Sequence, residues 1–221
     1  MFPLKNDVPR ERFPSVTLAL VAANVATFLW QLSVGSASIE VFGAIPIAIT
    51  HGEVASTGVP PWATLVTSMF LHGGLTHLGG NMLFLWIFGP NVEDRLGHAG
   101  YLIFYLACGT LAGLAQVLAA PASRLPMVGA SGAIAAVLGA YFLLFPTSRV
   151  LTLIFLFIFV RLVYLPAVLF LGLWFVLQLV SLPEGMTGGV AFAAHVGGFV
   201  AGLVLVWLFG ARPRSRSRPA W

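Results

Sequence analysis

Charge is what this chain has least of. Asp, Glu, Lys and Arg make up 8% of its 221 residues, against about 25% in an average soluble domain. With 59% of the residues hydrophobic, there is too little polar surface to cover a soluble globule. That class is excluded, and an integral membrane protein is left. Cysteine is nearly missing too: Cys108 stands alone, which excludes an internal disulfide and leaves the redox compartment unread. No tandem repeat is present, and low-complexity sequence is confined to an Arg/Ser/Pro tail over 212–219. The first apolar run lacks the short basic lead and small-residue cleavage site of a signal peptide.

Long apolar sequence is what the chain has in quantity. Six windows, at roughly 16–34, 75–91, 100–119, 128–145, 163–181 and 189–209, approach the ~20 residues of a membrane-spanning helix. Their continuous rather than alternating character excludes barrel strands. The expectation is an all-α integral membrane protein, a six-transmembrane-helix bundle with a partly membrane-embedded first loop. The chain divides into a cytoplasmic N-terminal segment over 1–15, a six-helix domain over 16–209 and a basic cytoplasmic tail over 210–221.

The few charges orient it. Lys5, Arg10 and Arg12 precede the first window, and Arg212, Arg214, Arg216 and Arg218 follow the last. Arg95 lies between the second and third windows, Arg149 and Arg161 between the fourth and fifth. Ten of the eleven basic residues therefore share one side, leaving Arg124 opposite. By the positive-inside rule that side is cytoplasmic and both termini lie there. The basic ends read as topology anchors and lipid head-group contacts, not as nucleic-acid arms.

Two connections are unusually apolar. Residues 35–74 include Phe42, Ile45, Ile47, Ile49 and Trp62, which points to an amphipathic or re-entrant element in the membrane interface. Residues 150–162 are bracketed by Arg149 and Arg161, too close together for a span. They read as an interfacial cytoplasmic loop, with Pro166 near the start of the following helix.

Polar groups inside a membrane are costly, so each is a functional candidate. His77 and Asn81, four residues apart, share one helix face; no acidic residue joins them and the zinc-protease pattern H-E-x-x-H is absent. Ser131 lies in "GASG" and His195 in "AHVGG", where Gly198 and Gly202 form a small-residue stripe that permits close helix approach. Each in isolation could be mere packing. With the termini inside, however, His77, Asn81, Ser131 and His195 all fall within about 10 Å of the outer end of their helices. Packing residues need not share a depth. A serine activated by a neutral histidine, with the Asn81 amide, the His77 ring and the Ser131 backbone N–H as oxyanion donors, is the chemistry this set suits. No acidic residue falls within a span at that depth, so the expected unit is a Ser131–His195 dyad, with His195 oriented by packing.

These motifs together resemble the rhomboid intramembrane serine proteases, in their minimal six-helix form. The resemblance rests on His72, His77 and Asn81 in H-x-x-x-x-H-x-x-x-N, on Gly129, Ser131 and Gly132, on His195 with Gly198, and on "VEDRLG" at 92–97. It implies a serine endopeptidase without cofactor or metal, cutting single-span membrane proteins near the outer end of their span. It also implies Ser131 as nucleophile, His195 as base, a structural role for His72, and Glu93 and Arg95 bracing the cytoplasmic end of the second helix. Gln116 resembles a position that helps hold water, with ordinary packing equally open. Some relatives place an aromatic where this chain has Ala135, so the support of His195 differs here. Residues 125–130, including Met127, Val128, Gly129 and Ala130, are candidates to pair with an extended substrate. Trp174 on the fifth helix and Gly185, Gly188 and Gly189 are candidates for a moving gate and cap. The expected partners are single-span substrates and the lipid bilayer, with no nucleic acid; oligomeric state is not readable. The expected location is a plasma (inner) membrane of bacterial type. The alternatives are an inactive rhomboid-like protein that binds membrane helices, and a transporter, which would need a polar route through the cytoplasmic half.

Overall fold

The computed structural model describes residues 1–52, 58–156, 159–185 and 189–211; Gly188, Arg212, Arg214, Arg216 and Arg218 lie outside them. Strand β1 (Phe2–Asn6) precedes helix α1 (Ser15–Val34). The connection after α1 carries short helices α2 (Ala37–Phe42), α3 (Pro46–His51) and α4 (Thr64–Thr67). Then come α5 (Leu75–Leu96), α6 (His98–Ala119) and α7 (Ser131–Leu144). A hairpin of β2 (Arg149–Leu156) and β3 (Phe159–Pro166) leads to α8 (Ala167–Val180), the single turn α9 (Leu182–Gly185) and α10 (Phe192–Leu208).

The long helices coincide with the six apolar windows. By length and composition, α1 and α6 are able to cross a membrane, while α7, α8 and α10 are shorter apolar helices. Helix α5 ends in the charged turn that holds Glu93, Asp94 and Arg95. Pro166 is the residue that caps α8, where its missing N–H costs nothing.

Helix α7 is the hub, contacted by α5, α6, α8 and α10. Every residue from Gly132 to Tyr141 is buried, which explains why the run is apolar all round rather than on one face. Its partner α10 approaches closely because glycine faces backbone. A Cβ at Gly198 would strike the Gly132 carbonyl, and one at Gly202 the Ala136 carbonyl. Reciprocally, a Cβ at Gly139 would strike the carbonyl of Phe199. His195, Gly198 and Gly202 follow i, i+3, i+7 and so lie on one face of α10.

The all-α expectation and the loop at 150–162 are both corrected. That segment forms the β2–β3 hairpin, and β1 pairs antiparallel with β2 to give a three-stranded sheet, with Phe2 opposite Leu153 and Asn6 opposite Val150. The physical reason is that Val, Ile, Leu and Phe suit a half-buried strand as well as an interfacial loop, and β1 covers an otherwise open edge. Asn6 Nδ2 donates to the Ile87 carbonyl at 2.6 Å and to Asn91 Oδ1 at 2.8 Å, fastening the sheet to α5. The sheet thus sits at the C-terminal end of α7, away from Ser131.

At the same end, Glu93 reaches from α5 to α1 and also contacts His98 Nδ1 at 2.7 Å, at the start of α6. Its carboxylate accepts the Val16 N–H at 2.9 Å, the Thr17 N–H at 2.8 Å and the Thr17 hydroxyl at 2.7 Å. It is the N-terminal cap of α1, supplied from α5, where a negative charge meets free N–H groups and the helix dipole.

Candidate active site

Ser131 is the first residue of α7, so its backbone N–H is one of those a helix leaves unpaired at its start. The turn before it is tightly constrained. Gly129 has φ +125°, a conformation open to glycine, and a Cβ there would lie 2.7 Å from His77 Cε1 and 2.8 Å from His77 Nε2. The Gly129 N–H donates to the Ser68 carbonyl at 2.9 Å, tying the turn to the first loop. Glycine at this point lets the His77 ring approach the serine turn.

His195 lies in the first turn of α10, and the glycine seam brings it onto α7. Its Nε2 is 2.8 Å from Ser131 Oγ. Its Nδ1 is 2.8 Å from Gln178 Oε1 on α8. The start of α10 is itself held by Gln116, whose Oε1 accepts the Ala194 N–H at 3.3 Å. This is helix capping from a neighbouring helix.

On α5, Gly73 donates its N–H to His77 Nδ1 at 3.4 Å, which leaves Nε2 as the N–H of a neutral ring. The Asn81 Nδ2 group is buried and has no acceptor among the described residues. It stands 3.6 Å from the site of a Cβ on Gly129. A buried unpaired donor is costly, and here the Asn81 amide, the His77 ring and the Ser131 N–H border the same cavity. His77, Asn81, Ser131 and His195 line a common cavity of about 440 Å³ with Val128, Trp174 and Gln178. The arrangement matches a nucleophile, a base and oxyanion donors around a space large enough for a peptide segment.

Residues 60–212 match the Rhomboid domain. The chain belongs to the rhomboid family. This rhomboid is similar to Rhomboid protein 1, mitochondrial, of Saccharomyces cerevisiae, with 28% identity over 203 residues, 87% of this chain and 53% of the relative. It is also similar to Rhomboid protease GluP of Bacillus subtilis, 34% identical over 128 residues, 58% of this chain and 24% of the relative. The human Presenilin-associated rhomboid-like protein, mitochondrial, is 30% identical over 194 residues, 86% of this chain and 42% of that protein. The chain therefore spans about half or less of the length of these relatives. Family membership makes it an integral membrane protein.

The remaining candidate residues of this rhomboid separate by position. Met127, Val128 and Trp174 line the large cavity, and Met127 and Val128 also border, with Gly129 and Gly132, a smaller one of about 40 Å³ that Ser131 shares. Ala130 is fully buried and caps α7. Met127 already pairs with Ala44, through bonds of 3.0 and 2.8 Å in both directions, so its backbone is not open to a substrate. Gly189 borders the cavity. His72 is buried in the corner before α5, where its N–H donates to Gln31 Oε1 at 2.9 Å and its carbonyl accepts from Gln31 Nε2 at 3.3 Å. Its ring meets that of His77 edge-on, centroids 5.1 Å apart. Arg95 sits in the last turn of α5.

Packing alone does not hold His195, contrary to expectation. Gln178 was missed, although an amide inside an otherwise apolar window carries the same cost that drew attention to Asn81. Its partner on α10 could not be seen from α8 alone.

Proposed function

We propose that this rhomboid is an intramembrane serine endopeptidase that cleaves single-span membrane proteins. The observation that carries the reading is the 2.8 Å contact between Ser131 Oγ and His195 Nε2, set in the wall of a cavity where donors converge. The hydroxyl attacks the scissile carbonyl as His195 takes its proton. The oxyanion is met by the Asn81 amide, the His77 Nε2–H and the Ser131 N–H, at the positive end of α7. His195 then gives the proton to the departing amine, leaving an acyl-serine. Water, deprotonated by the same ring, releases the acid and restores the hydroxyl.

A substrate segment must be extended to present its carbonyl. Along an extended chain, successive residues direct their backbone groups to opposite sides. With Met127 turned to Ala44, Val128 is the residue that faces the cavity and can add a strand to the substrate. Six crossings, through α1, α5, α6, α7, α8 and α10, fit a membrane-integral family and the one-sided basic residues. The β1–β2 pairing supports this order, since a segment before α1 and one after α7 meet on one face after four crossings. The site then opens on the outer side of a plasma (inner) membrane, with both termini cytoplasmic.

The test is cleavage of a single-span reporter by the purified protein in liposomes. Wild type yields product at one site near the outer end of the span, and Ser131→Ala yields none while keeping its fold. Labelling by a fluorophosphonate falls on Ser131 and requires His195. A folded wild type that neither cuts nor labels is instead a helix-binding member of the family.

A further inference from the structure

We propose that Gln178 is the positioning residue of the dyad, holding His195 in the one tautomer that can accept the proton of Ser131. The inference rests on reading Ser131 and His195 as nucleophile and base, and extends it to a third group on a third helix.

A glutamine amide has an accepting end and a donating end, and the structure fixes which is which. Gln178 Nε2 donates to the Trp174 carbonyl one turn earlier, at 3.2 Å. The other end, Oε1, therefore faces His195 Nδ1 at 2.8 Å. An amide oxygen only accepts, so Nδ1 must carry the ring hydrogen. Nε2 then presents its lone pair to Ser131 Oγ at 2.8 Å. The opposite tautomer would set two acceptors against each other at Gln178, and at Ser131 it would donate to the hydroxyl instead of accepting its proton. One amide thus selects the reactive form of the ring. It does so without charge, which suits a site where His77 and His195 are the only ionisable rings lining the cavity among the described residues.

The same helix fixes the ring plane. Trp174 lies beside His195 with centroids 6.1 Å apart and planes 38° apart, and Phe192 meets it at 90° with centroids 6.0 Å apart. Trp174 and Gln178 are i, i+4 and so share a face of α8. Together they supply what α7 does not, where the small Ala135 is fully buried one turn after the serine. The position of α8 therefore governs how well the base is oriented. An amide in this place holds a histidine as the third member of a triad does, by hydrogen bonding rather than by proton transfer.

The decisive comparison is wild type with Gln178→Leu and Gln178→Glu, in liposomes with the single-span reporter. Gln178→Leu is expected to lower kcat by roughly 10- to 100-fold, a part of what a base contributes, with KM and thermal midpoint little changed. Gln178→Glu is expected to restore most of kcat and to move the acid limb of the pH–rate profile upward, because a carboxylate at Nδ1 favours the protonated ring. Nitrogen NMR of labelled wild type is expected to show hydrogen on Nδ1 and none on Nε2 of His195. An unchanged kcat in Gln178→Leu, an unmoved profile in Gln178→Glu, or an Nε2–H tautomer in wild type overturns the proposal. So does a loss of activity matched by a fall in thermal midpoint, which assigns Gln178 to packing. Fluorophosphonate labelling separates the two levels: a wild type unlabelled at Ser131 defeats the dyad itself, while normal labelling with an indifferent Gln178 defeats only the positioning role.

Discussion

The seam between α7 and α10 and the flank of α8 are both apolar, yet they are built in opposite ways. Along the seam, glycines stand against carbonyls and every residue from Gly132 to Tyr141 is buried. Helix α8 is buried only at Ala167, Phe170 and Leu171, all near its start. Its later residues Leu173, Val176, Leu177 and Val180 are exposed, as lipid-facing side chains are. In that half the helix touches its neighbours through the Gln178–His195 bond and through rings such as Phe175, stacked on Phe199 at 4.5 Å. The lesson is a division of labour. Ser131 and His195 share the stiff seam, and Gln178, which bonds His195, stands on the loosely packed helix.

Substitutions that reverse this contrast have graded effects. Gly202→Val strikes the stiff side, placing a branched side chain against the Ala136 carbonyl. It is expected to cost about 3 kcal/mol and to abolish cleavage, since a displacement of about 1 Å can cost 10²-fold. Thermal unfolding in detergent with the reporter assay would show both, and an unaltered midpoint would break the description of the seam as rigid. Asn81→Ala touches neither helix of the comparison. It is expected to reduce kcat by about 10²–10³-fold, as for the loss of one oxyanion donor, with KM nearly constant. A rise in KM alone would move Asn81 from chemistry to binding. Leu177→Ala strikes the loose side. Because the side chain is 51% exposed, stability is expected to change by no more than about 0.5 kcal/mol. A large loss there would mean that α8 has a packing partner and that the contrast is false.

Much of the arrangement was legible because membrane solvation imposes simple rules. Apolar runs located the long helices, and α5, α7 and α10 begin at Leu75, Ser131 and Phe192, within three residues of their windows. Intramembrane cost singled out His77, Asn81, Ser131 and His195, which the structure brings to one cavity. The β2–β3 hairpin was not legible, since a run such as Val150 to Leu156 reads alike as strand or interfacial loop. Its partner β1 lies more than a hundred residues earlier, and pairing over that distance leaves no local trace. Glu93 was recognised as structural, but its partners Val16 and Thr17 belong to another helix. The pairing of Gln178 with His195 was hidden for the same reason: it exists only after α8 and α10 have met.

The three-stranded sheet also sets a timetable. Strand β1 is synthesised before α1, yet its partner β2 begins only at Arg149. Four of the long helices, α1, α5, α6 and α7, must therefore be synthesised while that strand waits unpaired. Closing so long a loop costs entropy and is slow compared with local helix formation. The sheet is thus a late event in assembly, completed on the eve of α8, and its closure comes after the whole of α7, Ser131 included, has been made.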